Sequence, residues 1–255
     1  METRFVKSAD GVRIAYDVAG TGPALVLLHG GFIQTRRDWL PYRERLSREF
    51  TLITIDLRGH GESDRPATED AYAHHRFIDD LQTVADACGV KKYFLWGYSL
   101  GGTVALQIAA GSKQAEGAIF AGVWFGKLFT EEMTAALLAR AEAVEKARAE
   151  GKFEEMQMST PERDFFNKAD SPVMKAYYRA LVKYPAVEPR DLLCPAFVFA
   201  GTANAMAAGK LKERENEIRA AGARVQLFEG LTHAQEFSEV DRVLPSCLAF
   251  LRSLR

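Results

Sequence analysis

Ser99 stands between Gly97 and Gly101, behind the apolar run Tyr93, Phe94, Leu95, Trp96 and ahead of a stretch carrying Thr103, Val104, Ala105, Leu106, Ile108 and Ala109. A strand that turns abruptly into a helix needs small residues two places either side of the turning residue, because bulky side chains there collide with the crossing backbone. The pattern therefore lifts the Ser99 hydroxyl over a sheet. It also sets it at the start of a helix, where free amide donors and the helix dipole favour developing negative charge. The chemistry that fits is nucleophilic acyl transfer, although strand–glycine–helix turns also serve phosphate binding and close packing. A second glycine loop, His29, Gly30, Gly31, Phe32, follows the apolar run 24–28 and lets backbone approach a neighbouring group, as the second half of an oxyanion hole must. His29, directly after a buried strand and before two glycines, reads as a brace for that loop and not as a base.

These loops need a sheet to hold them. Segments 4–8 and 12–18 read as an antiparallel edge pair, followed by apolar strands at 24–28, 51–56, 93–96, 117–123, 195–200 and 225–228. Helices are expected at 37–49, through Phe77, Leu81, Val84 and Cys88 up to Gly89, along 99–111, at 210–221 and at 240–251. Such alternation builds a mostly parallel sheet with helices on both faces. The polar, glycine-punctuated loop 57–64 has no metal-ligand spacing and reads as a hydrogen-bonded brace near the site. The alternation lapses at 125–189, too long for plain loop in a compact core. Thr130 caps a long helix there, and Thr160-Pro161 and Ser171-Pro172 start two more, the last ending at Pro185. This segment is the expected helical cap, inserted after the sixth strand of a core made of 1–124 and 190–255. It concentrates aromatic and methionine side chains, some of which should face an apolar ligand pocket; Trp124, Phe125, Phe129 and, from the elbow, Tyr98 are the candidate lining.

A chain of 255 residues with 47% hydrophobic residues supports one large domain. Its net charge of −1 gives no footprint for nucleic acid or an anionic membrane, so the expected partner is a small molecule. The amino-terminal stretch lacks the apolar core of a signal peptide and no run reaches membrane-span length, which makes the expected location cytoplasmic. Cys88, Cys194 and Cys247 have neither disulfide-framework nor metal-site spacing and read as buried thiols.

Taken together, His29-Gly30-Gly31, the segment 56–63, Gly97-Tyr98-Ser99-Leu100-Gly101 and Gly230-Leu231-Thr232-His233 resemble, in order and spacing, the α/β-hydrolase family. The resemblance implies the α/β-hydrolase fold, an eight-stranded, mostly parallel sheet with a small helical cap. It also implies a triad in the chain order serine, acid, histidine, with His233 as the base. The family's usual aspartate, three residues after the glycine ending the seventh strand, corresponds here to Asn204. An amide there cannot neutralise an imidazolium and can favour the wrong tautomer. Three readings stand: a replaced aspartate, a native amide of the papain-type kind, or an acid supplied from elsewhere. Residues 123–126, after the sixth strand, carry no carboxylate, and Glu229 and Glu236 are near His233 only along the chain.

The expected activity is a cofactor-independent, metal-free serine hydrolase of small, apolar esters or lactones. Ser99 attacks, His233 moves the proton, Asn204 holds the orienting position, and amides of Leu100 and of Gly31 or Phe32 receive the oxyanion. Carbon–carbon hydrolysis and perhydrolysis use a similar site, and a low-turnover ligand receptor of the same fold is the reading from another class. Ser99 argues against dehalogenase or epoxide hydrolase chemistry, which calls for a nucleophilic aspartate. If Asn204 is the third member of the triad, Asn204→Asp raises turnover.

Overall fold

Continuous apolar runs need cover on both faces, and the computed structural model, which describes residues 2–255, supplies it with helices. Eight strands, β1 (Arg4–Lys7), β2 (Arg13–Ala19), β3 (Ala24–Leu28), β4 (Thr51–Ile55), β5 (Tyr93–Tyr98), β6 (Ala115–Ala121), β7 (Ala196–Gly201) and β8 (Arg224–Phe228), form one sheet in the order β1-β2-β4-β3-β5-β6-β7-β8. β2 runs antiparallel to both neighbours, and every pairing from β4 to β8 is parallel. All residues of β3, β5 and β7 are buried. The strand period of two sends Tyr93 and Leu95 to one face of β5, and Phe94, Trp96 and Tyr98 to the other.

The first face is covered by α2 (His74–Ala87) and α3 (Leu100–Gly111), the second by α1 (Leu40–Leu46) and a carboxy-terminal helix, Val240–Arg252. The helix expected at 37–49 is shorter. Thr35 and Asp38 form a capping box on a 3-10 turn, Arg36–Trp39, and α1 starts only at Leu40 with Pro41 in its first turn. β6 lies two residues earlier than expected, which leaves Gly122 and Val123 in the loop beyond it.

Between β6 and β7 lie α4 (Glu131–Ala149), α5 (Thr160–Lys168) and α6 (Ser171–Leu181). Thr130 caps α4 through the amide of Met133 at 3.2 Å. The caps of α5 and α6 are Ser159 and Asp170, one residue ahead of the expected starts, and α6 stops four residues short of Pro185. α4 buries only Thr134, Ala141 and Val144, whereas α6 buries seven of its eleven residues. Tyr177, fully buried, stacks on Tyr72 with ring centroids 4.6 Å apart, so α6 is the element that fastens this segment to the sheet layer. The two crossings back to the sheet lie side by side. Gly126 N–H donates to the Val187 carbonyl at 2.8 Å, and the Lys127 ammonium donates to the carbonyls of Val182 and Tyr184.

After β7 the single helix expected at 210–221 is two, α7 (Ala205–Glu213) and α8 (Glu215–Ala220), broken at Arg214. Its guanidinium pairs with Glu188 and Glu217 and donates to the Phe125 carbonyl, joining the break to the crossing strands. A short helix, α9 (Gln235–Ser238), follows β8 and leads into α10 (Val240–Arg252). The three cysteines are free thiols; Cys247 is fully buried, Cys88 and Cys194 half-buried.

Candidate active site

Ser99 has φ +53°, the only non-glycine residue with positive φ among those described. Such a conformation is costly for a side-chain-bearing residue and persists where the surroundings over-determine it. Here the surroundings are the elbow's glycines. A Cβ on Gly97 would meet the Gly101 backbone and come within 2.8 Å of Ala105 Cβ, and one on Gly101 would strike the carbonyls of Leu28 and His29. Only glycine lets α3 start this close to the β3 loop. Gly31 is fixed in the same way, since a Cβ there would lie 2.7 Å from Leu100 Cδ2.

His233, in the loop after β8, reaches over the sheet edge and sets Nε2 2.9 Å from Ser99 Oγ. Tyr98 supports it: the rings stack at 5.1 Å, and the phenol donates to the His233 carbonyl at 2.9 Å. At Nδ1 the structure brings together two groups. Glu236 Oε2 lies 2.8 Å away, and Asn204 Nδ2 3.1 Å away. Glu236 is 1% exposed; its Oε1 accepts from the Asn204 amide at 2.9 Å and from the Gly201 N–H at 2.8 Å. Asn204 stands beside Nδ1 and presents its NH₂ there, and the carboxylate of Glu236 stands beside the same ring nitrogen. An amide oxygen turned towards Glu236 would be repelled, which decides the orientation of the Asn204 side chain.

A cavity of about 620 Å³ opens from Ser99. Gly31, Phe32 and Leu100 line it together with the serine, and Leu100 opens α3, where backbone amides have no partner within the helix. Trp124 and Phe129 also line it, together with Leu128, Met133, Leu137, Phe165 and Tyr178. Two expected lining residues do not. Tyr98 faces away because the pleat of β5 turns it to the α1/α10 side, and Phe125 is buried against Phe120. Apart from His233, no side chain lining the cavity is ionisable at neutral pH. Among the described residues, no group of three His, Cys, Asp or Glu could hold a metal, and no helix is long and apolar enough to cross a membrane.

The loops around the cavity are braced by buried polar groups. His29 accepts the Leu57 N–H at Nε2, 3.1 Å, and meets the Gly30 carbonyl at Nδ1, 2.6 Å. Burial pushes its pKa down to about 4 and that of neighbouring His60 down to about 3. Arg58, fully buried, is held by Asp80 and Asp10, and Arg36 by Asp17 and Asp56. Both histidines protonate more readily unfolded than folded, so their contribution to stability is present above pH ~6.5 and is lost as pH falls below it. Between pH 7.5 and 5 the expected loss is about 2 kcal/mol for each. Urea unfolding at the two pH values measures it, and His60→Gln should remove about half of the loss.

A family model described as the Alpha/beta hydrolase family matches residues 25–244. The chain belongs to the α/β-hydrolase family. Among solved structures, the chain is similar to an esterase from Rhodococcus sp., with a TM-score of 0.70 and 26% identity over the whole of both chains. An enol-lactonase from Burkholderia xenovorans matches at TM-score 0.79 and 19% identity, covering 98% of this chain and 100% of that one, a likeness of fold alone. Epoxide hydrolase 4 of Mus musculus is 36% identical over 100 residues, 39% of this chain and 28% of that protein. The match thus spans well under half the length of that curated relative.

Proposed function

We propose that this α/β-hydrolase is a cofactor-independent serine hydrolase of small, uncharged, largely apolar carboxylic esters or lactones. The observation that carries the reading is the 2.9 Å pairing of Ser99 Oγ with His233 Nε2 at the mouth of an apolar cavity that holds no lysine, arginine, aspartate or glutamate. His233 takes the Ser99 proton as Oγ adds to the substrate carbonyl. The amides of Leu100 and of Gly31 or Phe32 receive the oxyanion, His233 protonates the departing alcohol, and water releases the acyl group by the reverse sequence. The reacting group beside those amides is a hydroxyl, which favours acyl transfer over the opening of an epoxide by a carboxylate.

The cavity lining sets the substrate's charge. An ionised group buried there would lose its hydration with nothing to replace it. A hemisuccinate ester is therefore expected to have kcat/KM at least about 100-fold below that of an uncharged butyrate ester of the same alcohol. Equal values would remove the charge assignment. The covalent step is read separately: a fluorophosphonate should label Ser99 stoichiometrically, and labelling at another residue overturns the mechanism.

A further inference from the structure

We infer that Glu236 is the residue that positions and charge-compensates His233, and that Asn204 serves to hold Glu236; the inference rests on the serine hydrolase reading above. Family resemblance looks for this carboxylate after the seventh strand, where the chain has Asn204, or after the sixth, where it has Gly122 and Val123. Both places lack an acid, and the space between them is filled from a third direction.

Glu236 lies on α9, three residues after His233, a spacing that sets two side chains on the same side of a helical turn. Its carboxylate is wholly buried, yet what bonds it is two N–H donors and the His233 ring, with no lysine or arginine. Gly201 N–H and Asn204 Nδ2 serve Oε1, and His233 Nδ1 faces Oε2. With Oε1 taken up by two N–H donors, Oε2 faces only the His233 ring, where a carboxylate accepts from Nδ1. The anion in turn requires a proton on Nδ1, because a lone pair there would face the Oε2 lone pairs at 2.8 Å. That tautomer leaves Nε2 free to accept the Ser99 proton, and the negative charge beside it favours the imidazolium that results.

Gly122, at φ +72°, makes the room. A Cβ there would lie 2.6 Å from His233 Cε1 and 2.8 Å from Nδ1, and closer still to Glu236 Oε2. The absence of an acid after β6 and the presence of one on α9 are thus parts of one arrangement. A buried glutamate that only supported the fold would need no imidazole among its partners and no cleared space above it.

The test compares the wild type, Glu236→Gln and Asn204→Asp with an uncharged p-nitrophenyl ester, together with nitrogen-15 NMR of the histidine ring. In the neutral ring of the wild type, the proton is expected on Nδ1; finding it on Nε2 overturns the proposal and needs no variant. Glu236→Gln is expected to lower kcat by about 10³- to 10⁴-fold with KM little changed, since the group that holds the ring and offsets its charge is gone. Asn204→Asp adds a second carboxylate within hydrogen-bond distance of Glu236 and is expected to lower turnover, with one proton shared between the two acids. If Glu236→Gln stays within about threefold of the wild type, or Asn204→Asp raises turnover, residue 204 is the orienting group and the assignment of Glu236 falls. Failure of the serine hydrolase reading looks different: the wild type itself would then neither turn over the ester nor take a fluorophosphonate label.

Discussion

Ser99→Ala is expected to lower ester turnover by about 10⁵- to 10⁶-fold, the scale on which serine nucleophiles act together with their base, while leaving the protein folded. The two halves of that statement come from different atoms. The hydroxyl oxygen is the proposed attacking group and has His233 Nε2 as its hydrogen-bond partner. The backbone strain at φ +53° belongs to the elbow and is shared by any residue with a Cβ, alanine included. Stability should therefore change by less than about 1 kcal/mol. Steady-state rates with p-nitrophenyl butyrate and a thermal melt give both quantities. Activity within tenfold of the wild type would move the nucleophile elsewhere; a collapsed melt would mean the serine is structural.

Gly122→Ala is expected to cost about 10²- to 10³-fold in kcat/KM, because displacing a reacting group by about an ångström has that scale of effect. Two costs add at this position. A positive φ strains alanine by about 1–2 kcal/mol. The new methyl also overlaps the His233 ring and the Glu236 carboxylate, neither of which is the loose end of a flexible chain, since one is stacked on Tyr98 and the other is buried and held by Gly201 and Asn204. The strain should appear as about 1–3 kcal/mol of stability and the overlap as slower phosphonylation of Ser99. A variant destabilised by that amount but labelled at the wild-type rate would show that the ring tolerates the shift.

Ser99 was legible in the sequence because the constraint on it is local: a strand, a tight turn and a helix need glycine at minus two and plus two whatever surrounds them. The parallel strands were legible for a similar reason, as apolar runs buried on both faces. Element ends were less so. The 3-10 turn at Arg36 and the break at Arg214 depend on side-chain bonds to distant residues, Asp56 in one case and Glu188 in the other. His233 could be singled out only through resemblance. Glu236 could not be assigned at all, since Gly201 and Asn204, which hold it, lie at the end of β7, more than thirty residues away. Tyr98 carried a signal that went unused: the alternation along Phe94, Trp96 and Tyr98 already sends its ring away from the face that Leu95 shares with α3.

The neck of the β6–β7 segment bears on how such a chain can change over time. Gly126 and Val187 are bonded to each other, and Lys127 closes the second crossing onto residues 182 and 184, so the roughly sixty residues between begin and end at almost the same point. The entropy of closing a loop grows only with the logarithm of its length, about 0.6 kcal/mol for each doubling. Insertions or deletions beyond the neck therefore weigh little on the folding of the sheet, while the same segment supplies Met133, Leu137, Phe165 and Tyr178 to the cavity wall. Pocket shape can drift by length as well as by substitution while Ser99 and His233, both outside the neck, keep their geometry.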